Sequence, residues 1–103
     1  MLIIELPKPL EFVWDDGNSN KNLVKHRVSN QECEEIFVAG RVIFAEDFLH
    51  STSEIRYIAV GPSKSNRLLY IVLTIRNNRI RIISARDTNN KERKLYEKTI
   101  KTA

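Results

Sequence analysis

Residues 68–86 read LLYIVLTIRNNRIRIISAR. Aliphatic and β-branched residues run through both halves, and Asn77-Asn78 divides them. Two such runs around a two-residue Asn-Asn connection predict a β-hairpin closed by a type I′ turn. That turn needs positive φ at its central residues, which Asn tolerates better than most. The implied register pairs Arg76 with Arg79, Thr74 with Arg81, Val72 with Ile83 and Tyr70 with Ala85, and paired residues share a face. One face then carries Thr74, Arg76, Arg79 and Arg81. The other carries Leu69, Ile71, Leu73, Ile75, Ile80 and Ile82 and is expected to meet the core. Ser84 and Arg86 fall on that second parity, at a sheet edge or re-aimed by a bulge.

Shorter elements precede the hairpin. Phe12-Val13-Trp14 reads as a strand and Asp15 to Asn18 as a turn. Residues 19–27 suit a short helix with Leu23 as its apolar anchor and Lys25, His26 and Arg27 in the last turn, where cations complement the dipole. Ser29 and Glu32 have capping-box spacing, with Val28 and Cys33 placed as a hydrophobic staple. Cys33, Ile36 and Phe37 share one face of the helix that follows, and Gly40 ends it. Cys33 therefore reads as a buried apolar residue rather than a nucleophile. Residues 42–45 and 54–60 are strand candidates, with His50 in the loop between. In the second of them, Glu54, Arg56, Ile58 and Val60 share a face. Residues 61–66 form a loop carrying Lys64. After the hairpin, residues 91–101 predict a helix with Leu95, Tyr96 and Ile100 as its apolar stripe. Helices segregated from a run of strands indicate an α+β fold: a mostly antiparallel sheet packed with two amino-terminal helices and one carboxy-terminal helix.

A chain of 103 residues suits a single domain over 1–103. No apolar run approaches the roughly 20 residues of a membrane span. The amino-terminal MLIIELPKPLEF is too short in its apolar part, and lacks the cleavage site, to read as a signal peptide. The single cysteine excludes an internal disulfide and a CxxC zinc site. These features together suggest a cytoplasmic protein without metal or other cofactor. The net charge of +4 hides an asymmetry: residues 1–53 balance to −4 and residues 54–103 to +8. A basic half attracts polyanions, nucleic acid above all, unless folding intermixes the two halves. Three arginines on one half-exposed face repel one another unless an anion or an acidic partner lies across them. Guanidinium groups bind phosphate through two donors, so an RNA or DNA backbone fits.

An ordered set of residues also resembles a known family. Phe12-Val13-Trp14-Asp15, Asn22-Leu23-Val24-Lys25-His26, the Glu32 to Phe37 segment, Glu54-Ile55-Arg56, Gly61, Arg67-Leu68-Leu69, Ile80 to Arg86 (IRIISAR), Glu92-Arg93 and Tyr96 follow one another as in the BrnT toxins of bacterial type II toxin–antitoxin modules. Val13 stands where the family usually has an acidic residue, and Arg27 where it usually has Gly. The resemblance implies a RelE-like fold and a ribonuclease that arrests growth. It further implies a cognate DNA-binding antitoxin, BrnA, typically in a 2:2 complex. The site positions it carries over are Lys25, His26, Glu54, Arg56, Arg81 and Arg86. Arg76 and Arg79 near the hairpin turn, with Lys64 and Arg67 in and beside the preceding loop, are read from their placement as further RNA-binding cations.

Metal-free RNA cleavage uses the 2′-OH as nucleophile and needs a base, cations for the phosphorane charge and an acid for the 5′-oxygen leaving group. In that scheme His26 or Glu54 is the base, Lys25, Arg56 and Arg81 hold the phosphate, and Arg86 adds a ligand. Bland alternatives stand beside these roles: a Glu54–Arg56 ion pair, a helix-end His26, a core Trp14. Two rival readings are a non-catalytic nucleic-acid-binding module and a degenerate toxin that only binds its antitoxin.

Overall fold

In the computed structural model, which describes residues 4–102, the chain runs β1 (Phe12–Val13), α1 (Lys21–His26), α2 (Asn30–Val38), β2 (Ile43–Glu46), β3 (Tyr57–Pro62), β4 (Leu68–Arg76), β5 (Arg79–Asp87) and α3 (Asn90–Thr102). The first three residues of the amino-terminal apolar stretch, Met1 to Ile3, lie outside the described residues. The five strands form one sheet in the order β1-β5-β4-β3-β2. β2, β3, β4 and β5 pair antiparallel, whereas β1 joins β5 in parallel. The fold is therefore α+β with a mostly antiparallel sheet and three helices. No helix among the described residues is long and apolar enough to cross a membrane.

The hairpin closes through Asn77 and Asn78, whose φ angles of 50° and 60° are those of the type I′ turn. Near the turn the register is as read, with Arg76 opposite Arg79 and Thr74 opposite Arg81. Beyond it the register shifts. Leu73 pairs with Ile82 but Val72 pairs with Ser84, so Ile83 is an extra residue and β5 bulges. Tyr70 consequently faces Arg86 rather than Ala85, and Val72 faces Ser84 rather than Ile83. The bulge turns Ala85 into the core, where it is fully buried, and puts Arg86 on the same face as Arg81. The parity conflict between the two arginines disappears.

The inward face of the sheet buries Leu69, Ile71, Leu73, Ile80 and Ile82 against Val28, Cys33, Ile36 and Phe37. α2 opens with the capping box: Ser29 Oγ accepts from the Glu32 N–H and the Glu32 carboxylate accepts from the Ser29 N–H. Burial pushes the Cys33 thiol up to about 12, so it carries no thiolate at neutral pH. Gly40, at φ 75°, lies just past the end of α2. On the other face α3 buries Tyr96 against Val60 and Leu68, with Ile43, Ile58, Tyr70 and Ile100 around them. The Tyr96 hydroxyl donates to the Arg41 carbonyl at 2.6 Å. Leu95 stands 64 % exposed rather than in the helix's buried stripe. α3 packs over one end of this face and leaves the hairpin-turn end, with Arg76, outside the cluster.

α1 is anchored differently from the sequence reading. Leu23 is 45 % exposed, and the buried residue is Asn22, whose Oδ1 accepts the Ala85 N–H at 3.0 Å. The helix ends on Arg27, which takes the left-handed conformation (φ 56°, ψ 35°) and donates its N–H to the Leu23 carbonyl. A Cβ in that region costs energy that glycine avoids, although glycine loses more entropy on folding. Arg27→Gly is expected to stabilise the protein by about 0.5–1 kcal/mol and raise Tm by a few degrees. A fall in Tm on thermal unfolding would count against this account of the turn.

Candidate functional site

The segment 54–56 belongs to no strand; β3 begins only at Tyr57 and continues through Pro62. Thr74, buried in the sheet, donates its hydroxyl to the Ile55 carbonyl at 2.9 Å. The Arg56 N–H donates to Ser51 Oγ, and its carbonyl accepts from the Asp47 N–H. These bonds fix the segment across the uncovered end of the sheet and display Glu54 and Arg56 beside the hairpin arginines.

A second segment closes the site from the β1 side. Asn18, 2 % exposed, donates its amide to the Val13 carbonyl at 2.8 Å and to the Ile82 carbonyl, next to the bulge, at 3.0 Å. Its Oδ1 accepts the Asp15 N–H. β1 ends at Val13, so the edge of β5 would otherwise lose partners there; Asn18 and Asn22 supply them. The same turn brings Asp15 to Arg81, whose Nη1 donates to Oδ2 at 2.6 Å and whose Nη2 donates to Oδ1 at 3.2 Å. Gly17 lies against this pair. A Cβ there would come within 3.0 Å of the Arg81 Nη2, and the Gly17 N–H donates to Asp15 Oδ1.

Between the two segments lies a polar depression of about 190 Å³ lined by Gly17, Asn18, Lys21, Glu54, Arg56, Arg76, Arg81, Ile82 and Ile83. Of the sequence-predicted residues, Glu54, Arg56, Arg76 and Arg81 meet here. Glu54 pairs with Arg76, not with Arg56: Nε donates to Oε2 at 2.8 Å and Nη2 to Oε1 at 2.5 Å. That bond holds the Glu54 carboxyl below its usual range, with the Arg76 and Arg56 charges adding to it. The Arg81 bond does the same for Asp15, helped by the Gly17 N–H. Both carboxylates favour the fold at neutral pH, and their contribution lapses as acid protonates them.

The other candidates lie elsewhere. Arg86 stacks over the Tyr70 ring at 4.1 Å and forms a two-bond pair with Glu92 of α3. It shares a face with Arg81 but, at about 3.3 Å per strand residue, stands roughly 15 Å along β5 from it. Arg67 is engaged within the protein: it bonds Asp87 through Nε and Nη2, the Arg27 carbonyl through Nη1 and the His26 carbonyl through Nη2. It thus clasps the end of α1 to the end of β5. Lys25 is exposed and His26 half-buried on α1, and neither lines the depression. Arg79 pairs with Glu11, and Lys64 is exposed in its loop. Trp14 is half-buried against the core and donates Nε1–H to Glu34 at 2.7 Å. His50, in its loop, contacts Asp47. A larger apolar groove of about 390 Å³ runs between α3 and Ile43, Ile58, Val60 and Tyr70, and holds none of the predicted site residues.

Asp15, Gly17, Asn18 and Lys21 reach the site from a stretch that sequence reading treats as a turn and a helix start. The available signal was Asp15 inside the family-like motif; Lys21 had none.

Comparison with known proteins adds two findings. Residues 14–92 match the family model described as "Ribonuclease toxin, BrnT, of type II toxin-antitoxin system". No curated protein matches the chain.

Proposed function

The chain belongs to the BrnT family of ribonuclease toxins of type II toxin–antitoxin systems, and from that premise we propose that it is a metal-independent endoribonuclease acting at the depression between the hairpin and the 54–56 segment. The observation that carries the reading is the convergence of Glu54, Arg56, Arg76 and Arg81 there, on the end of the sheet that α3 leaves open. In this mechanism Glu54 takes the proton from the ribose 2′-OH, whose oxygen attacks phosphorus. Arg81 and Arg56 stabilise the charge that develops on the phosphorane and on the departing 5′-oxygen, which takes up a proton from water to leave as a 5′-OH, and a 2′,3′-cyclic phosphate remains. Asp15 occupies two donors of Arg81 and leaves Nε and the outer N–H groups for phosphate, so it orients the fork without consuming it. Arg76 holds Glu54 in place in the same way. A carboxylate paired with arginine is a weak base, so most of the rate comes from positioning and electrostatics. Each carboxylate at the depression is committed to a guanidinium rather than to its neighbour, which favours the metal-free route over a carboxylate-bound cation.

A RelE-like fold agrees with the sheet and helix arrangement. Family membership implies an antitoxin partner; we take it to be BrnA-like, in a 2:2 complex, with the toxin acting in the cytoplasm. The test has two arms. Expression of the chain alone in a bacterium is expected to arrest growth, and purified protein is expected to cut single-stranded RNA in EDTA with cyclic-phosphate ends. Folded protein that binds RNA and leaves it intact would instead indicate a non-catalytic binding module.

A further inference from the structure

The arginines of the basic half spend much of their charge inside the protein. Arg67 faces Asp87 and Glu32, Arg76 faces Glu54, Arg79 faces Glu11, Arg81 faces Asp15 and Arg86 faces Glu92. A phosphate approaching from solvent meets each of these as a near-neutral pair and feels little attraction at a distance. Two cations lining the depression differ. Lys21, in the first turn of α1, and Arg56, on the pinned 54–56 segment, form no ion pair among the described residues.

Lys21 also breaks a local rule. A cation in the first turn of a helix opposes the dipole, and α1 has no acidic residue there and no side-chain cap to offset it. Violations of local preference gather where a residue serves a site. The depression is smaller than the roughly 300–1,000 Å³ of pockets that enclose a small ligand, and its lining includes no aromatic ring on which a base could stack. Its chemistry suits a sugar–phosphate backbone and not a nucleobase.

We propose that Lys21 forms a subsite for the RNA phosphate that neighbours the scissile one and, with Arg56, draws the strand in electrostatically, while Arg81 and Arg56 act on the reacting group and Arg76 holds Glu54. This inference rests on the ribonuclease reading above and assigns Lys21 a substrate-binding role. It makes the substrate a polynucleotide strand with at least two adjacent phosphodiesters, gripped by its backbone.

The test measures binding of a fully 2′-O-methylated single-stranded RNA, which cannot be cut, by fluorescence anisotropy across a salt series. Lys21→Ala is expected to weaken binding roughly five- to tenfold at 50 mM salt and to lower the salt slope by about 0.7, the share of one phosphate contact on a single strand. Lys21→Arg is expected to restore the slope, and Lys98→Ala on α3 to leave it unchanged. Lys21 is exposed and its charge opposes the α1 dipole, so the melting temperature should hold or rise slightly in Lys21→Ala and should not fall in any of the variants. If the wild type binds and Lys21→Ala matches it in affinity and slope, the subsite is overturned and the ribonuclease reading survives. If the wild type fails to bind RNA at all, the ribonuclease reading falls and the subsite with it.

Discussion

Replacing Asn18 with alanine is expected to cost the protein about 3 kcal/mol of stability. The amide of Asn18 satisfies the carbonyls of Val13 and Ile82, and its oxygen satisfies the Asp15 N–H, all from a position that is 2 % exposed. Alanine leaves these main-chain groups without partners where water has little access. An unsatisfied buried group costs about 1–3 kcal/mol, and three groups that share one side chain do not add in full. A loss of this size lowers Tm by roughly 10–20 °C in a domain of this length. Asn18→Asp should fare no better, because a carboxylate turns an acceptor toward two carbonyls. Chemical and thermal unfolding measure the effect. A loss below 1 kcal/mol would mean that the bulge is held by its own backbone geometry and that Asn18 merely fills space.

Arg81→Ala is expected to lower RNA cleavage by about 10²–10³-fold, the cost of removing an oriented charge donor from a site where charge develops. The fold should tolerate it. Asp15, the partner left behind, has a half-exposed side chain that water can solvate. Arg81→Lys should recover little of the rate, because an ammonium cannot hold Asp15 through two donors and still present a fork to phosphate. Arg79→Ala, whose guanidinium faces Glu11 away from the depression, should lose less than about tenfold, the scale of one surface phosphate contact. Single-turnover cleavage of a labelled RNA in EDTA distinguishes these outcomes. Equal losses for Arg79→Ala and Arg81→Ala would point to general attraction by the basic surface in place of a defined site.

Much of the fold was readable because its signals are local. The Asn77-Asn78 turn, the Ser29–Glu32 capping box, the alternation of Leu69, Ile71 and Leu73, and the Cys33, Ile36, Phe37 face each depend on residues a few positions apart. What escaped depends on partners far along the chain. The bulge is an exception, since the change of phase between Ile82 and Ala85 already offers it as one of two options for Ser84 and Arg86, and the register shift decides for it. Leu23 looked like the anchor of its helix because apolar residues usually are. The actual anchor, Asn22, is chosen by an unpaired N–H on β5 that lies 63 residues away. Residues 54–56 had strand character, yet the Thr74 hydroxyl, and not a ladder, holds the Ile55 carbonyl. The site divides along the same line. Glu54, Arg56, Arg76 and Arg81 could be named from motif and register, whereas Lys21, Asp15 and Gly17 depend on where Asn18 stitches its loop.

The bulge has a further consequence when viewed as a matter of chain length. Deleting Ile83 would restore an unbroken alternation along β5 in which Ser84, Ala85 and Arg86 keep their present partners and faces; if Ile83 stayed and the bulge were ironed out, every residue beyond it would exchange sides, Ala85 leaving the core and Ser84 and Arg86 entering it. No substitution at those positions produces so complete an inversion. The stretch from Ile82 to Asp87 thus carries one residue more than the strand it pairs with, and it can lose that residue without changing which side chains face the core. The loop 47–53, between β2 and the pinned 54–56 segment, carries no such register, and variation in length within this family should accumulate there before it appears in β5.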